Sequence, residues 1–334
     1  MTNKEWINSV LAHKENIKVP YNFYFSPVSL RAVEDHYGGR VEETLNFPIR
    51  TNAPVSPKPL FADPDIFGDF AVDEFGVKWS TNKIDRGAPV GPCLRSPSLT
   101  GYSFPDPSKT SRFEGLDIWC KSNTDNFTII WVGDLWERAV FMRGMEDLLL
   151  DIYVNPEFVH ALMRKLTDYI LETMKIMFEG FEFDAIAVSD DYGMQNSLVM
   201  SPDCWRTFVK PYLSEIYSYA KTNGRKVFHH TCGYVYPIIA DLIDIGLDIL
   251  HPIQPETMDI FSLKREFGKH LTFNGGINTQ KLLPYGTESE IRAEIRRLKE
   301  EMGAGGGYIL EPGITVLADV PQKNIVAMID EAMK

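Results

Sequence analysis

Residues 226–254 read KVFHHTCGYVYPIIADLIDIGLDILHPIQ, and this stretch contains the repeating unit of the fold. A helical segment separates two short apolar runs, at 226–229 and 248–251, and each run ends in polar residues. Such a strand–helix–strand unit is typical of a parallel sheet. The same alternation extends from residue 126 to the end of the chain. It predicts strands at 127–132, 185–189, 226–229, 248–251, 271–274 and 307–310.

Amphipathic helices are predicted between these strands. One covers residues 156–178, a second begins after a capping Ser201, a third covers 288–302, and the last opens at Pro321. At least five consecutive βα units fit either a closed barrel or an open doubly wound sheet. No Gly-x-Gly-x-x-Gly motif follows an early strand, which disfavours a dinucleotide-binding sheet. We therefore predict an α/β fold, the (β/α)8 TIM barrel.

The amino-terminal part of the chain lacks this regularity. Prolines, glycines and aromatic residues are scattered over residues 1–120, where the clearest signal is a hairpin at 72–79. We predict a single barrel domain over residues 1–334, with a variable, irregular amino-terminal extension at 1–120 and regular βα units at 121–334.

Composition excludes several classes of protein. With 44% hydrophobic and 24% charged residues among 334, the chain resembles an ordinary soluble globular protein. Its net charge of −12 disfavours nucleic-acid and anionic-membrane partners, which require a basic surface. The sequence contains no apolar run of about 18 residues, so no membrane span is predicted, and the start lacks the apolar core of a signal peptide. The four cysteines show no paired spacing, which favours a reducing cytoplasm and free thiols.

Polar residues follow the predicted strands where the strands end. Because chemistry in parallel α/β folds lies at the carboxyl ends of the strands, these residues are candidates for a site. Each has an ordinary structural explanation as well, since an aspartate can cap a helix and an asparagine can form a turn. Their recurrence after strand upon strand favours a functional site. The candidates in chain order are Asp190, Asp191, His230, Cys232, Gln254, Asn274 and Glu311.

The pair His230-x-Cys232 is the sharpest motif in the sequence. Imidazole and thiolate are ligands that zinc selects, and two ligands beyond one strand can bind the same ion. A third ligand must then come from elsewhere in the chain. Zinc with an open position lowers the pKa of a bound water or thiol, or polarises an oxygen as a Lewis acid. Asp190 and Asp191 are predicted to orient His230 or to act as an acid–base pair.

A set of longer motifs resembles the uroporphyrinogen-decarboxylase-like superfamily. The resemblance is strong over residues 126–334 and loose over the first 120. The motifs that carry it are Asp190-Asp191-Tyr192-Gly193-Met194-Gln195, Ser201-Pro202, Lys210-Pro211, His230-Thr231-Cys232-Gly233, Pro252-Ile253-Gln254, Phe273-Asn274-Gly275-Gly276-Ile277, Gly305-Gly306-Gly307-Tyr308-Ile309-Leu310, Asp319-Val320-Pro321 and Asn324-Ile325.

This resemblance implies one of two kinds of enzyme. Uroporphyrinogen decarboxylases hold a tetrapyrrole polycarboxylate with an early arginine-rich segment, whereas the corresponding region here, residues 21–27, reads YNFYFSP without arginine. Corrinoid-linked methyltransferases hold zinc with His-x-Cys and a later cysteine beyond a Pro-Gly. His230 and Cys232 match the first two ligand positions, but Ile314 stands where the late cysteine is expected. Three possibilities follow: Glu311 supplies a third metal ligand, with Gln254 as a reserve, or the metal is bound differently, or the site holds none.

The function that we predict is methyl transfer. A zinc-dependent enzyme would take a methyl group from a small methylated donor, such as an O-methyl aromatic compound, and deliver it to the corrinoid of a partner protein. Asp190, Asp191, Gln254 and Asn274 are the predicted catalytic residues, and residues 1–120 are expected to select the donor. Two alternatives stay open: a decarboxylase of a cyclic carboxylate, and a non-catalytic subunit that binds a corrinoid protein. Related barrels are commonly dimers, so a homodimer is the expected oligomer by analogy.

Overall fold

The computed structural model describes residues 1–15, 18–84 and 86–334, and within these ranges the chain forms ten strands and fifteen α-helices. The strands are β1 (Ile49–Asn52), β2 (Phe70–Val72), β3 (Lys78–Ser80), β4 (Pro89–Gly91), β5 (Phe127–Gly133), β6 (Ala185–Ser189), β7 (Lys226–His230), β8 (Ile249–Ile253), β9 (Thr272–Ile277) and β10 (Tyr308–Pro312). The helices are α1 (Asn3–Leu11), α2 (Pro27–Tyr37), α3 (Val41–Thr44), α4 (Pro64–Phe67), α5 (Leu116–Ser122), α6 (Trp136–Arg143), α7 (Met145–Val154), α8 (Pro156–Gly180), α9 (Pro202–Phe208), α10 (Lys210–Thr222), α11 (Ile239–Asp244), α12 (Ile260–Phe267), α13 (Leu282–Tyr285), α14 (Glu288–Glu301) and α15 (Gln322–Met333).

The main sheet is parallel and curls into a barrel. Its seven strands follow the order β1-β5-β6-β7-β8-β9-β10, and each inner strand pairs with its neighbour along the chain. The segment around Tyr21 takes the next position, because Tyr21 forms a parallel bridge with Leu310 of β10. The predicted (β/α)8 barrel and the six strands predicted after residue 126 are confirmed. Strand β1, in the part expected to be irregular, was not predicted.

The predicted hairpin at 72–79 is also confirmed. Strands β2 and β3 pair antiparallel, with Ala71 opposite Trp79. A third strand that the sequence did not predict, β4, extends this small sheet beyond β3. The amino-terminal part therefore adds a three-stranded sheet to the barrel.

Helix boundaries follow from local chemistry. Ser201 caps α9 by accepting a hydrogen bond from the Cys204 N–H, and Pro202 occupies the first helical turn. Helix α14 begins with a capping box in which Thr287 and Glu290 each bind the other's backbone N–H. The predicted helices at 156–178 and 288–302 agree with α8 and α14 to within a few residues.

Two apolar layers lie on opposite faces of the barrel wall. Side chains alternate between the faces of a strand, so Ile129, Ala187 and Phe228 point into the barrel. Ile7 and Val10 of helix α1 cover the barrel interior at the end where the strands begin. A larger layer packs the outer face of the sheet against the surrounding helices. The interior is thus filled at one end, which leaves the carboxyl ends of the strands for chemistry.

The packing of α1 against the barrel interior predicts an effect on stability. Ile7 is fully buried, so Ile7→Ala should leave a cavity and lower the free energy of unfolding by about 3 kcal/mol. Urea unfolding measures this loss. The control is Ile118→Ala, because the Ile118 side chain is 67% exposed and its removal should change stability by less than about 0.5 kcal/mol. Equal stability of the two variants would contradict the packing of α1 in the barrel.

Two further predictions concern the state of the cysteines and membrane-spanning helices. All four cysteines are free, as their spacing indicates. Among the described residues, no helix combines the length and the apolar character that crossing a membrane requires.

Candidate functional site

A polar layer lies above the apolar layer inside the barrel. In β7, β8 and β10 the next inward-pointing side chain after the apolar layer is polar, and it lies two residues further on because the side-chain period of a strand is two. His230 follows Phe228 in this way, His251 follows Ile249, and Glu311 follows Ile309. Strand register brings Ser189, His230 and His251 side by side.

Hydrogen bonds join this layer into a chain of side chains. Asn274 Nδ2 donates to Glu311 Oε2 at 2.8 Å. The other oxygen of Glu311, Oε1, lies 3.1 Å from His251 Nε2. His251 Nδ1 lies 2.9 Å from His230 Nδ1, and His230 Nε2 lies 3.5 Å from Cys232 Sγ. Asn274, Glu311 and His251 thus connect to the predicted His-x-Cys pair.

These hydrogen bonds indicate which ring nitrogen carries the proton in His251 and in His230. With Glu311 as a carboxylate and His251 as a neutral imidazole, Nε2 of His251 carries the proton, because a carboxylate can only accept hydrogen bonds. Nδ1 of His251 is then a lone-pair acceptor, and it receives the Nδ1–H of His230. Nε2 of His230 is left with a free lone pair directed towards Cys232. Glu311 thus orients the candidate ligand His230 through His251, and outer carboxylates that orient ligating histidines are common around metal ions.

Three candidate ligands converge at the mouth of the barrel. The ligand atoms of Asp191, His230 and Cys232 all lie within 4.8 Å of one another. Asp191 Oδ1 lies 3.6 Å from His230 Nε2 and accepts a hydrogen bond of 2.7 Å from the Cys232 N–H. One carboxylate, one imidazole and one thiol form a donor set suited to zinc, so the residues present fit the metal that the resemblance implies.

Electrostatics in this cluster favour the same interpretation. Burial, and secondarily the neighbouring His251, lowers the pKa of His230 to about 3, so the imidazole is neutral and its lone pair is available. Burial, Asp191 and Glu137 raise the pKa of the Cys232 thiol well above its ordinary value. A divalent cation at this position would reverse the effect on the thiol, since a metal deprotonates a coordinating thiol.

Glu311 does not join these three ligands. It is buried, and its carboxylate binds His251 and Asn274 rather than facing Cys232. The structure therefore places Glu311 behind His251, whereas Asp191, predicted as a catalytic residue, lies beside the His-x-Cys pair.

Close backbone contacts hold the loops that carry the cluster. Gly193 and Gly233 pack so tightly that a Cβ on Gly193 would lie 2.5 Å from the Cys232 carbonyl oxygen. Gln254 Oε1 accepts a hydrogen bond of 2.6 Å from the Gly233 N–H. Gln254 is therefore placed next to the His-x-Cys loop, where it fixes the backbone beyond Cys232.

Asp190 lies on the other face of the sheet from Asp191. Its Oδ1 accepts hydrogen bonds from the N–H groups of Leu135 and Glu137 at the start of α6, and its Oδ2 accepts from the Tyr192 hydroxyl. Burial raises the pKa of Asp190 to about 8. The two adjacent acids diverge because neighbouring residues of an extended chain point to opposite faces. The structure thus separates Asp190 from the other predicted site residues.

A substitution tests whether Asp190 acts through the fold. Asp190→Ala should lower the free energy of unfolding by about 3 kcal/mol, because it removes the cap of α6 and leaves buried donors unpaired. Chemical denaturation measures the change, and Asp35→Ala, at an exposed position on α2, is the control. A stable Asp190→Ala protein that has lost activity would instead favour the predicted catalytic role.

Two functional candidates were missed by sequence reasoning. His251 ends a predicted strand and lies two residues beyond the inward-pointing Ile249, so the period of the strand was a signal for it. Glu137 lies on α6 and accepts a hydrogen bond of 3.1 Å from Ser189 Oγ. Burial and the nearby Asp191 raise the pKa of Glu137 well above its ordinary value, which favours the protonated form of this carboxyl. No motif in the sequence indicates Glu137.

A pocket of about 250 Å³ opens beside the cluster. Glu137 and Ser189 line it together with acidic and basic side chains. Arg138 in its wall is neutralised by Asp73 at 2.6 Å and Asp134 at 2.8 Å. Acidic and basic groups are balanced in this wall, so the pocket has no excess of positive charge for a molecule with many carboxylates.

The regular βα part of the chain is similar in sequence to known proteins. The profile of the family described as uroporphyrinogen decarboxylase (URO-D) matches residues 129–334. A uroporphyrinogen decarboxylase of Psychromonas ingrahamii is 24% identical over 214 residues, which cover 60% of this chain and 56% of that protein. The methylcobamide:CoM methyltransferase MtaA of Methanosarcina barkeri is 30% identical over 146 residues, 44% of this chain and 40% of that protein. The chain thus spans about half the length of the curated relatives that it matches.

One solved structure shares the whole architecture. A methyltransferase from Methanosarcina mazei superposes with a TM-score of 0.75, covering 99% of this chain and 98% of that chain. At 18% sequence identity, this likeness concerns the fold.

Proposed function

The chain belongs to the uroporphyrinogen decarboxylase (URO-D) family, and from that premise we propose that it transfers a methyl group from a small methylated donor to the corrinoid of a partner protein. The observation that carries this proposal is the convergence of Asp191, His230 and Cys232 at the barrel mouth. A thiol and an imidazole that share one ligand site suit metal-assisted chemistry, for which a purely acid–base decarboxylase has no use.

Asp191, His230 and Cys232 would hold the zinc. When bound, zinc supplies Lewis acidity, which makes an oxygen or thiol of the substrate a better leaving group or nucleophile. The chain's own residues prepare this site. Glu311 and His251 keep the lone pair of His230 Nε2 facing the cluster, and Gln254 fixes the loop beyond Cys232.

A proton is needed at the leaving oxygen of a methyl ether or alcohol. As the methyl carbon forms its bond to cobalt(I), the C–O bond breaks and its electron pair stays on oxygen. Glu137 is placed to supply the proton, because it lines the pocket, is held by Ser189 and carries a raised pKa. We propose Glu137 as the general acid of this step.

The partner in this proposal is a corrinoid protein. The relative from Methanosarcina barkeri is named for a methylcobamide substrate, which supports a corrinoid on the other side of the reaction. We propose that the corrinoid domain docks at the carboxyl-terminal face of the barrel, where the cluster opens to solvent. The corrinoid need not bind tightly to this chain, because the partner carries it.

A decarboxylase is the second candidate, and the names of several relatives favour it. The pocket sets Lys58, Arg86 and Arg138 against the acids Asp73, Glu74 and Asp134, so its wall offers no excess of positive charge to a tetrapyrrole with many carboxylates. This charge arrangement supports methyl transfer over decarboxylation.

The test is an assay of methyl transfer with free cob(I)alamin. The zinc-loaded protein is mixed with methanol, a methylamine, a methyl thioether or a methoxylated benzoate, and conversion of cob(I)alamin to methylcobalamin is followed spectroscopically. We expect turnover with one of these donors and a loss of at least about tenfold in Glu137→Gln. Decarboxylation of uroporphyrinogen without any methyl transfer would overturn the proposal.

A further inference from the structure

The polar layer inside the barrel is filled on one side and open on the other. His251, Asn274 and Glu311, which lie on β8 to β10, are all buried. The inward-facing residues on the other side are half-buried, so solvent reaches them from the mouth of the barrel. They are Thr51 on β1, Trp131 on β5, Ser189 on β6 and His230 on β7. A ligand that enters the barrel therefore meets this open half.

Tyr24 borders the open half from the segment beside β10. That segment bridges β10 through Tyr21, and its alternate residues Tyr21, Phe23 and Phe25 belong to the outer apolar layer. Asn22 and Tyr24 therefore face the barrel interior, because side chains alternate between the two faces of an extended chain. Asn22 is buried, whereas Tyr24 is half-buried. The Tyr24 side chain thus lies in the part of the interior that solvent reaches.

The segment of Tyr24 lies opposite the candidate metal cluster. From this segment the strand pairing leads to β10, β9, β8 and then β7, which is four steps. Four steps are half the circumference of an eight-stranded barrel. Because β7 carries His230 and leads into Cys232, Tyr24 faces the cluster from the opposite wall.

The surroundings of the Tyr24 hydroxyl make it a hydrogen-bond donor. Burial, and secondarily the Glu311 carboxylate, raises the pKa of Tyr24, so the hydroxyl keeps its proton. Hydrogen bonds from the side chains of Thr51 and Asn22 act on this pKa in the opposite direction, which identifies them as bonds donated to the phenolic oxygen. With its oxygen accepting these bonds, the hydroxyl has its own proton left to donate.

We propose that Tyr24 donates a hydrogen bond to the substrate in the open half of the barrel, opposite the cluster of Asp191, His230 and Cys232. The ligand that fits is a small molecule with one atom at the cluster and an oxygen acceptor directed towards Tyr24. Trp131 forms the side wall of this space, since its ring centroid lies 6.2 Å from that of His230. The inference rests on the proposed function and deepens it, because Tyr24 would be a substrate-binding residue of the same site.

Ligand binding at the cluster can be followed with cobalt(II) in place of zinc, because the absorption spectrum of cobalt(II) reports its coordination. Formate and ammonia are titrated into the cobalt-loaded wild type and into Tyr24→Phe. Formate bound through one oxygen keeps a second oxygen for Tyr24, so we expect Tyr24→Phe to bind it about tenfold more weakly, the factor that a hydrogen bond to a charged group supplies. Ammonia bound through its lone pair has no acceptor left, so its affinity should not change.

Two controls accompany this comparison. Tyr219→Phe removes a hydroxyl from a half-buried tyrosine on α10, where the ring stacks on Phe178 with centroids 5.5 Å apart, and it should bind formate as the wild type does. Ammonia binding is the second control, because unchanged affinity in Tyr24→Phe shows that the variant is folded and that its metal site is intact.

Each other outcome has a defined meaning. Equal formate affinity in the wild type and Tyr24→Phe would overturn the role of Tyr24, and so would an equal loss of formate and ammonia binding. Formate binding that depends on Tyr24, in a protein that transfers no methyl group to cob(I)alamin, would support this role and count against the proposed function. Methyl transfer with the same kcat/KM in both proteins would do the reverse. A protein that binds no cobalt would contradict both.

Discussion

Zinc in the purified protein is expected to fall from about one ion per chain to a trace when His230 and Cys232 are both replaced by alanine. The two residues are the imidazole and the thiol of the candidate ligand cluster, and without them Asp191 would offer a single carboxylate to an ion. Loss of a single residue that merely orients a ligand weakens metal binding 10–100-fold, so loss of two ligands should weaken it at least about 100-fold. Elemental analysis of protein purified without chelator measures the ion directly.

The control for this experiment also removes one histidine and one cysteine. His36 is exposed on α2, and Cys204 is half-buried on α9, apart from the cluster. The His36→Ala, Cys204→Ala protein should keep its zinc and its methyl transfer activity. Metal that persists in the His230→Ala, Cys232→Ala protein would place the ion elsewhere, and wild-type protein free of any metal would remove the zinc mechanism.

The architecture could be predicted well because its signal is local. Each βα unit carries its own apolar run, its helix period and its cap, as Ser201 and Thr287 illustrate. Strand β1 was missed because it has only four residues and lies in a stretch without such regularity. Its place in the sheet depends on pairing with β5, which is a tertiary effect.

The candidate ligand cluster of Asp191, His230 and Cys232 was harder to predict, because it depends on distance around the barrel rather than along the chain. Glu311 lies in β10 and Cys232 follows β7, and β10 lies three strands from β7 in the sheet order. Neighbouring strands are about 4.8 Å apart, so three steps span roughly 14 Å along the sheet. Asp191 follows β6, the immediate neighbour of β7, and a single step brings it into contact with His230.

The hydrogen-bond partners of the site residues could not be predicted from the sequence for a similar reason. The role of His251 depends on which nitrogen faces Glu311, 60 positions away in the chain. Likewise, the sequence does not distinguish the roles of the adjacent Asp190 and Asp191. In the structure the pleat of the chain directs Asp190 to the start of α6 and Asp191 to the barrel mouth.

The ligand set can be decided by comparing Asp191→Asn with Glu311→Gln. A carboxamide is a poor zinc ligand, so Asp191→Asn should weaken zinc binding about 100-fold or more, while its oxygen can still accept from the Cys232 N–H. Glu311→Gln alters only the partner of His251, and a loss of about tenfold is expected. Competition with a chromophoric chelator measures both affinities.

The two variants should also differ in a signal that reports the histidine ring protons. Glutamine can present an N–H to His251 Nε2, which would move the His251 proton to Nδ1 and leave two N–H groups facing each other between His251 and His230. Nitrogen-15 NMR of the imidazoles should therefore change in Glu311→Gln and stay as in the wild type in Asp191→Asn. Asp203→Asn, whose side chain is 92% exposed, is the control for loss of a charge. A larger loss of zinc in Glu311→Gln than in Asp191→Asn would make Glu311 the third ligand, as the sequence predicted, and Asp191 a neighbour that only supports the loop.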